Sequence, residues 1–141
     1  GKGITPYVNY TYSDLDDSNL RNNDYAILSG CNTPKHKINV GISGHKVWKG
    51  LGFNANFKWV TSYEWQSPFA DGTVPSFHTL DLQVSYEIEK AYSTVRVGGS
   101  NIYNNWHIEA VGSPRLGALY YVSWTFDFNN FGKKPGATTS K

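Results

Sequence analysis

Hydrophobic and polar positions alternate along most of this chain. Nowhere do apolar residues recur at the three- and four-residue intervals of an amphipathic helix. Alternation marks half-buried strands, because successive side chains leave a strand on opposite faces. Tyr7 to Ser13 puts Val8, Tyr10 and Tyr12 on one face against Asn9, Thr11 and Ser13. Lys35 to Gly44 sets Ile38, Val40 and Ile42 against Lys37, Asn39, Gly41 and Ser43. Leu51 to Tyr63 sets Leu51, Phe53, Ala55, Phe57 and Trp59 against Gly52, Asn54, Asn56 and Lys58. Phe77 to Ile88 sets Leu80, Leu82, Val84, Tyr86 and Ile88 against Thr79, Asp81, Gln83, Ser85 and Glu87. Tyr92 to Asn101 sets Val95 and Val97 against Thr94, Arg96 and Ser100. Gly117 to Phe128 sets Ala118, Tyr120, Val122, Trp124, Phe126 and Phe128 against Leu119, Tyr121, Ser123, Thr125 and Asp127. The pattern predicts an all-β chain, an antiparallel up-and-down meander of about six strands.

The links alternate in length. Those after the first, third and fifth segments are long: Asp14 to Pro34, Glu64 to Ser76 and Ile102 to Leu116. Those after the second and fourth are short: His45 to Gly50 and Glu89 to Ala91. Long links at one end and short ones at the other are the pattern of an outer-membrane barrel, and a soluble meander gives no reason for it. The apolar face also carries aromatics at both strand ends. Trp59 and Tyr120 sit toward the long links, and Phe53, Tyr86, Trp124 and Phe126 toward the short ones. That predicts a lipid-facing band with two aromatic girdles. Lys37, Lys58, Arg96, Asp81, Glu87 and Asp127 lie on the opposite face and suit a wet lumen or a polar plug. A water-soluble sheet with its apolar side inward also satisfies the alternation.

Composition sharpens this picture. Aromatic residues are 16% of the chain, which favours strands. The formal charge of +2 is too small for a nucleic-acid arm, so no nucleic-acid partner is expected. One Cys excludes an internal disulfide framework. No apolar run approaches the roughly 18 residues of a membrane helix, which leaves a membrane barrel open. The chain starts at Gly1, contains no Met and shows no signal peptide, so it is expected to be a mature protein or a piece of a longer one.

Three ordered segments resemble the barrels of TonB-dependent outer-membrane receptors. Asn32-Thr33-Pro34-Lys35-His36-Lys37-Ile38-Asn39 is similar to a strand opening late in those barrels. Gly99-Ser100-Asn101-Ile102-Tyr103-Asn104 resembles the penultimate strand and its Asn-rich exit. Tyr120-Tyr121-Val122-Ser123-Trp124-Thr125-Phe126 resembles the last strand. The likeness spans about Tyr7 to Phe128 and looks most like the Bacteroidetes type. It implies a bacterial outer-membrane location, a barrel of about 22 strands with a plug inside, and energised uptake of a scarce ligand such as a ferric siderophore or cobalamin. About six strands cannot close even the smallest barrel of about 8, so the chain looks like the C-terminal quarter of such a receptor. The implied partners are the remaining barrel strands and plug, the TonB system through an N-terminal part not contained here, outer-membrane lipid and a small-molecule ligand. Residues 1–128 would then be barrel strands, and residues 129–141 a flexible periplasmic tail, since Gly132-Lys133-Lys134-Pro135-Gly136 suits no strand.

Candidate chemistry is sparse. His36, His45, His78 and His107 are scattered without metal-ligand spacing, so no metal and no cofactor are expected. Asp14, Asp16, Asp17 and Asn19 carry oxygens suited to Ca²⁺, yet lack the glycine and distal Glu of an EF-hand loop. Cys31 lies in the same link without a partner in this chain. Gly98-Gly99 is followed by no Lys-Ser/Thr and reads as a bulge or close backbone approach. Ser13, Asp81 and His78 could in principle form a lipase-like site on a barrel surface, but no Ser, His and Asp triplet shows a nucleophile elbow. Trp65, Trp106, His107 and Arg115 fall in long links, where rings beside cations suit a chelate or a sugar. Girdle residues just above the membrane are the plainer reading of the same four. The sequence therefore reads as a transport scaffold and not an enzyme. Its rivals are a soluble β-sandwich that binds glycans and a small outer-membrane barrel that adheres or scaffolds.

Overall fold

A computed structural model describes residues 3–14 and 32–128. Its strands are β1 (Gly3–Tyr12), β2 (His36–Trp48), β3 (Leu51–Val60), β4 (Tyr63–Trp65), β5 (Gly72–Val74), β6 (Phe77–Ile88), β7 (Ser93–Ser100) and β8 (Leu119–Phe126). Six of them form one antiparallel sheet in the order β1-β2-β3-β6-β7-β8. Strands β4 and β5 pair separately as a small hairpin within the β3–β6 link. The fold is the all-β meander that the alternation predicts.

Cross-strand registry turns the alternation into two continuous faces. One row reads Ile4, Gly44, Phe53, Val84, Val97, Val122 from edge to edge. The next reads Pro6, Ile42, Ala55, Leu82, Gly99, Tyr120. On the other face the rows read Thr5, Ser43, Asn54, Gln83, Gly98, Tyr121, and Gly52, Ser85, Arg96, Ser123. The apolar face is bare: Val8 is 74% exposed, Val84 50%, Val122 74% and Trp124 70%. A row of this kind has no slack in register, because a slip of one residue would exchange the two faces of a strand.

Several boundaries differ from the sequence reading. The first strand begins at Gly3, where Ile4 and Pro6 pair with Gly44 and Ile42, so a proline is accommodated on an edge strand. The second strand does not stop at Gly44. A bulge sets His45, Lys46 and Val47 against Gly52 alone, with Lys46 at positive φ, and the strand continues to Trp48. The turn is then only Lys49 and Gly50, both at positive φ, as a two-residue hairpin of matching twist requires. The third strand ends at Val60 rather than Tyr63, with one last rung beyond it in which the Thr61 N–H bonds the His36 carbonyl at 3.1 Å. The last strand is shorter than expected at Leu119–Phe126. At the other short link, Glu89–Ala91 makes one 3-10 turn and Tyr92 exits it in the left-handed region.

The buried apolar core is small and off-centre. It comprises Val60, Val74 and Phe77, with Tyr63, Trp65, Ile108 and Val111 packed against it. Val60 and Phe77 pair across β3 and β6 on the polar face, at its long-link end. Two apolar residues at positions of polar parity give the β3–β6 and β7–β8 links something to fold onto, so these two bend inward over the polar face.

Candidate functional site

The loop end of the polar face is built from Asn101 outward. Asn101 is 3% exposed and sits at φ 50°, where an asparagine tolerates the left-handed region better than most residues. Its side chain and Asn105 clamp reciprocally: Asn101 Nδ2 donates to the Asn105 carbonyl, and the Asn105 N–H to Asn101 Oδ1, both at 3.0 Å. Asp81 ties the same corner to β6, accepting from Ser100 Oγ at 2.7 Å and from the Asn101 N–H at 2.9 Å. The β7–β8 loop thus leaves the sheet in a fixed direction. His107 and Leu116 then close it on itself through a pair of backbone bonds.

That direction brings His107 onto Phe77, their rings stacked with centroids 4.2 Å apart. Two residues on, Glu109 Oε1 meets Lys58 Nζ at 2.7 Å and lies 3.8 Å from His107 Nε2. The Lys58 ammonium also lies 5.2 Å from the Phe77 ring centroid. Tyr63 adds a third tie by donating its hydroxyl to the Glu109 carbonyl at 2.7 Å. The Lys58 hydrogen bond holds the Glu109 carboxyl below its ordinary value, against the opposing effect of burial. Burial raises the Tyr63 hydroxyl, and the Glu109 charge raises it further. The β4–β5 hairpin is fixed by Asn32, whose amide pairs with both the N–H and the carbonyl of Gln66 at 2.7 and 2.9 Å. At its tip the Ser67 hydroxyl accepts from the Ala70 N–H and donates to the Ala70 carbonyl, leaving Phe69 97% exposed.

Of the four loop residues singled out in the sequence, two meet here. Trp65 packs against the Val60–Val74–Phe77 core, and His107 stacks on its Phe77. Trp106 is 62% exposed and lies against Gly117, where a side-chain carbon would meet its indole. Arg115 is exposed and forms no ion pair among the described residues. Lys58, Tyr63 and Glu109 escaped the sequence reading. Parity marked Lys58 as facing inward, but nothing local announces that Glu109 returns to it from 51 positions away.

The six aromatics read as girdles all lie on the apolar face: Trp59 and Tyr120 toward the loops, Phe53, Tyr86, Trp124 and Phe126 toward the turns. Trp48 joins the turn-end group. It pairs with Leu51, is 65% exposed, and has the Lys49 ammonium 5.2 Å from its ring. The lipase-like set is not assembled: Asp81 bonds Ser100 and Asn101, and period two puts His78 on the other face. Asp14 pairs with Lys35 at 3.4 Å and accepts from the Tyr12 hydroxyl. Asp16, Asp17, Asn19 and Cys31 lie outside the described residues. Among the described residues no three His, Cys, Asp or Glu side chains gather for a metal.

A sheet with one bare apolar face, one polar face and long loops at a single end has the outline of a slice of membrane barrel. The family model for the TonB dependent receptor-like beta-barrel matches residues 3–102. The chain belongs to this family. No curated protein and no solved structure matches it. TonB-dependent receptors are outer-membrane transport proteins of Gram-negative bacteria, so the protein is an outer-membrane receptor barrel component. In receptor barrels the lipid face is the apolar one and the lumen face the polar one. Arg96, Asp81, Lys58 and the inward-folded loops therefore belong to the lumen side.

Proposed function

We propose that these strands form the C-terminal wall of a receptor that imports a scarce chelate, a ferric siderophore or cobalamin, with a plug inside the barrel and energy from the TonB system. The observation carrying the reading is the bare apolar face, continuous across six strands. A patch of that extent is an aggregation liability in water and an ordinary surface in a bilayer. The main strands are 8 to 13 residues long, close to the roughly 9–11 a tilted strand needs to span the membrane. This face also argues against a glycan-binding sandwich, since no second layer covers it among the described residues. In this reading Trp106 and Arg115 contact the ligand from a platform held by Trp65 and His107, and Phe53, Trp59, Tyr86, Tyr120, Trp124 and Phe126 anchor the wall at the two interfaces. Residues 1–128 are wall and residues 129–141 a periplasmic tail.

Uptake of radiolabelled ferric siderophores and cobalamin by cells with and without the complete receptor tests the ligand class. Trp106→Ala with Arg115→Ala should lower affinity while outer-membrane abundance stays unchanged. Trp124→Ser with Phe126→Ser should lower abundance instead. Normal abundance with lost binding in the latter pair would assign that face to the ligand and overturn its lipid role.

A further inference from the structure

Alternation decides which side of each strand faces the lumen, yet it leaves one error open. A slip of one residue exchanges the two faces of a strand, whereas a slip of two preserves them. Within a hairpin a tight turn selects between registers two apart. The turn at Lys49 and Gly50 does so for β2–β3, and the 3-10 turn at Glu89–Ala91 for β6–β7. At β3–β6 the link is long, and the Val60–Phe77 rung is pinned in the small core. The β1–β2 and β7–β8 pairings also have long links, and no residue of those four strands belongs to that core. Each of these two pairings instead carries one tyrosine laid across one glycine on the lumen face. Tyr7, Gly41 and Asn56 form a rung, and Tyr7 Oη crosses the glycine to donate to Asn56 Oδ1 on β3 at 2.8 Å. Tyr121, Gly98 and Gln83 form another, and Tyr121 Oη donates to Gln83 Oε1 on β6 at 2.8 Å. A side-chain carbon on Gly41 would overlap the Tyr7 ring and hydroxyl, and one on Gly98 would stand 2.7 Å from Tyr121 Oη. The rings fill the space that the missing side chains leave.

We infer that the two tyrosine–glycine joints are register keys for the two pairings that neither a tight turn nor the core fixes. Each ring has a single seat. The lumen-facing residues of β2 opposite β1 are Lys37, Asn39, Gly41 and Ser43, and those of β7 opposite β8 are Thr94, Arg96, Gly98 and Ser100. Each set contains one glycine. A slip of two sets Tyr7 against Asn39 or Ser43, and Tyr121 against Arg96 or Ser100, where a side chain occupies the place the ring needs. The slipped strand then loses ring burial and the bond to an amide two strands away together. The consequence reaches past the pair of strands. A closed barrel needs a fixed stagger around its whole circumference, so a slip of two at either pairing changes the shear and the strands no longer meet in step. Other ties lie at the loop end of the same pairings: Tyr10 Oη meets His36 Nδ1 at 2.9 Å, and Asn104 Oδ1 accepts from the Ala118 N–H at 2.9 Å. Gly98 also faces the Leu82 carbonyl, 2.8 Å from where its side-chain carbon would stand, so the Tyr7–Gly41 joint gives the cleaner test.

The test uses the complete receptor in outer membranes, in a Cys31→Ser background. Lys37→Cys with Thr11→Cys reports the register described here, and Lys37→Cys with Asn9→Cys reports a slip of two. Thr11→Cys with Asn39→Cys reports the opposite slip. Cysteines two positions out of step are too far apart to bridge, so each pair reads one register. The readout is the ratio of slipped to in-register disulfide, measured by mass spectrometry of the linked peptides after oxidation. Tyr7→Ala should raise that ratio about tenfold or more. Tyr7→Phe keeps the ring on its seat and should raise it by less. Gly41→Ala should act as Tyr7→Ala does, because the methyl group unseats the ring, and should add nothing in the Tyr7→Ala background. An unchanged ratio in Tyr7→Ala overturns the inference and assigns the register to ties such as Tyr10–His36. Additive effects of Gly41→Ala and Tyr7→Ala overturn it as well, since the glycine would then serve something other than the ring. For any variant that does not reach the membrane, the same ratio is read on the complete receptor refolded in detergent micelles, with the same outcomes deciding.

Discussion

The two ends of the lumen face have the same strands, the same pleat and opposite fates. At the loop end Val60 and Phe77 replace the polar residues that parity calls for, and the hairpin and the β7–β8 loop fold onto them. At the turn end every position of that parity is polar or glycine, from Ser43 and Asn54 to Ser85 and Arg96, and among the described residues no segment folds back. The difference teaches that two apolar side chains decide where long links go. A link of any length lies over a polar wall only if burial repays its ordering, and a phenylalanine supplies about 1.5–3 kcal/mol of that burial. The two short turns have neither the apolar anchor nor the chain length.

Removing the anchor should make the two ends alike. Phe77→Ala deletes the ring that carries His107 and the centre of the small core, at a cost of about 3–5 kcal/mol. Hydrogen exchange in the receptor should accelerate through residues 63–74 and 101–118, with β7 and the turn end around Arg96 unchanged. Equal acceleration at both ends would mean the loop core supports the whole sheet. The turn end is sharpened by contrasting its own two faces. Val84→Arg, on the lipid side, should cost about 2–4 kcal/mol and reduce outer-membrane abundance. Ser85→Arg, one residue along on the lumen side, should leave abundance near normal. Equal sensitivity at the two positions would contradict the register.

A smaller effect probes the loop end by pH. Glu109 is held below its ordinary value near 4.5, chiefly by the Lys58 hydrogen bond. A carboxyl lowered on folding stabilises the folded loop above its unfolded value and loses that contribution as the pH falls through the lowered one. The Glu109 contribution to loop protection should therefore weaken as the pH falls below about 4.5, by no more than about 1 kcal/mol because the pair is partly exposed. Glu109→Gln should abolish this pH dependence. The smallest expected change is Tyr121→Phe. The Tyr121 ring lies over Gly98 and its hydroxyl donates to Gln83 Oε1 at 2.8 Å. Tyr7 does the same over Gly41 to Asn56 Oδ1 at 2.8 Å. Each hydroxyl is worth about 0.5–1.5 kcal/mol, read as a modest fall in the thermal midpoint of the purified receptor. An arginine in place of either glycine's neighbour would probe charge, but only a side chain on Gly98 or Gly41 themselves would displace the ring.

Alternation alone fixed the six main strands, their neighbours and their two faces, because period two is written residue by residue and a meander pairs each strand with the next. Link lengths and the aromatic ends of Trp59, Tyr120, Trp124 and Phe126 were equally local signals, and they pointed to a membrane barrel before any coordinate. The Gly99–Asn104 motif was legible as a strand exit, though not as the amide clamp between Asn101 and Asn105 that aims the loop. The β4–β5 hairpin was not legible: its strands are three residues each, too short to show a period. Bulging at Lys46 was equally silent, since a positive φ on lysine leaves no mark in composition. Only the tertiary structure decided that Glu109 meets Lys58 across 51 residues, that Val60 and Phe77 draw the β3–β6 and β7–β8 links inward, and that no carboxylate among the described residues pairs with Arg96. Those are meetings between side chains remote in sequence, and the free energy that selects them exists only once the sheet has brought them within contact distance.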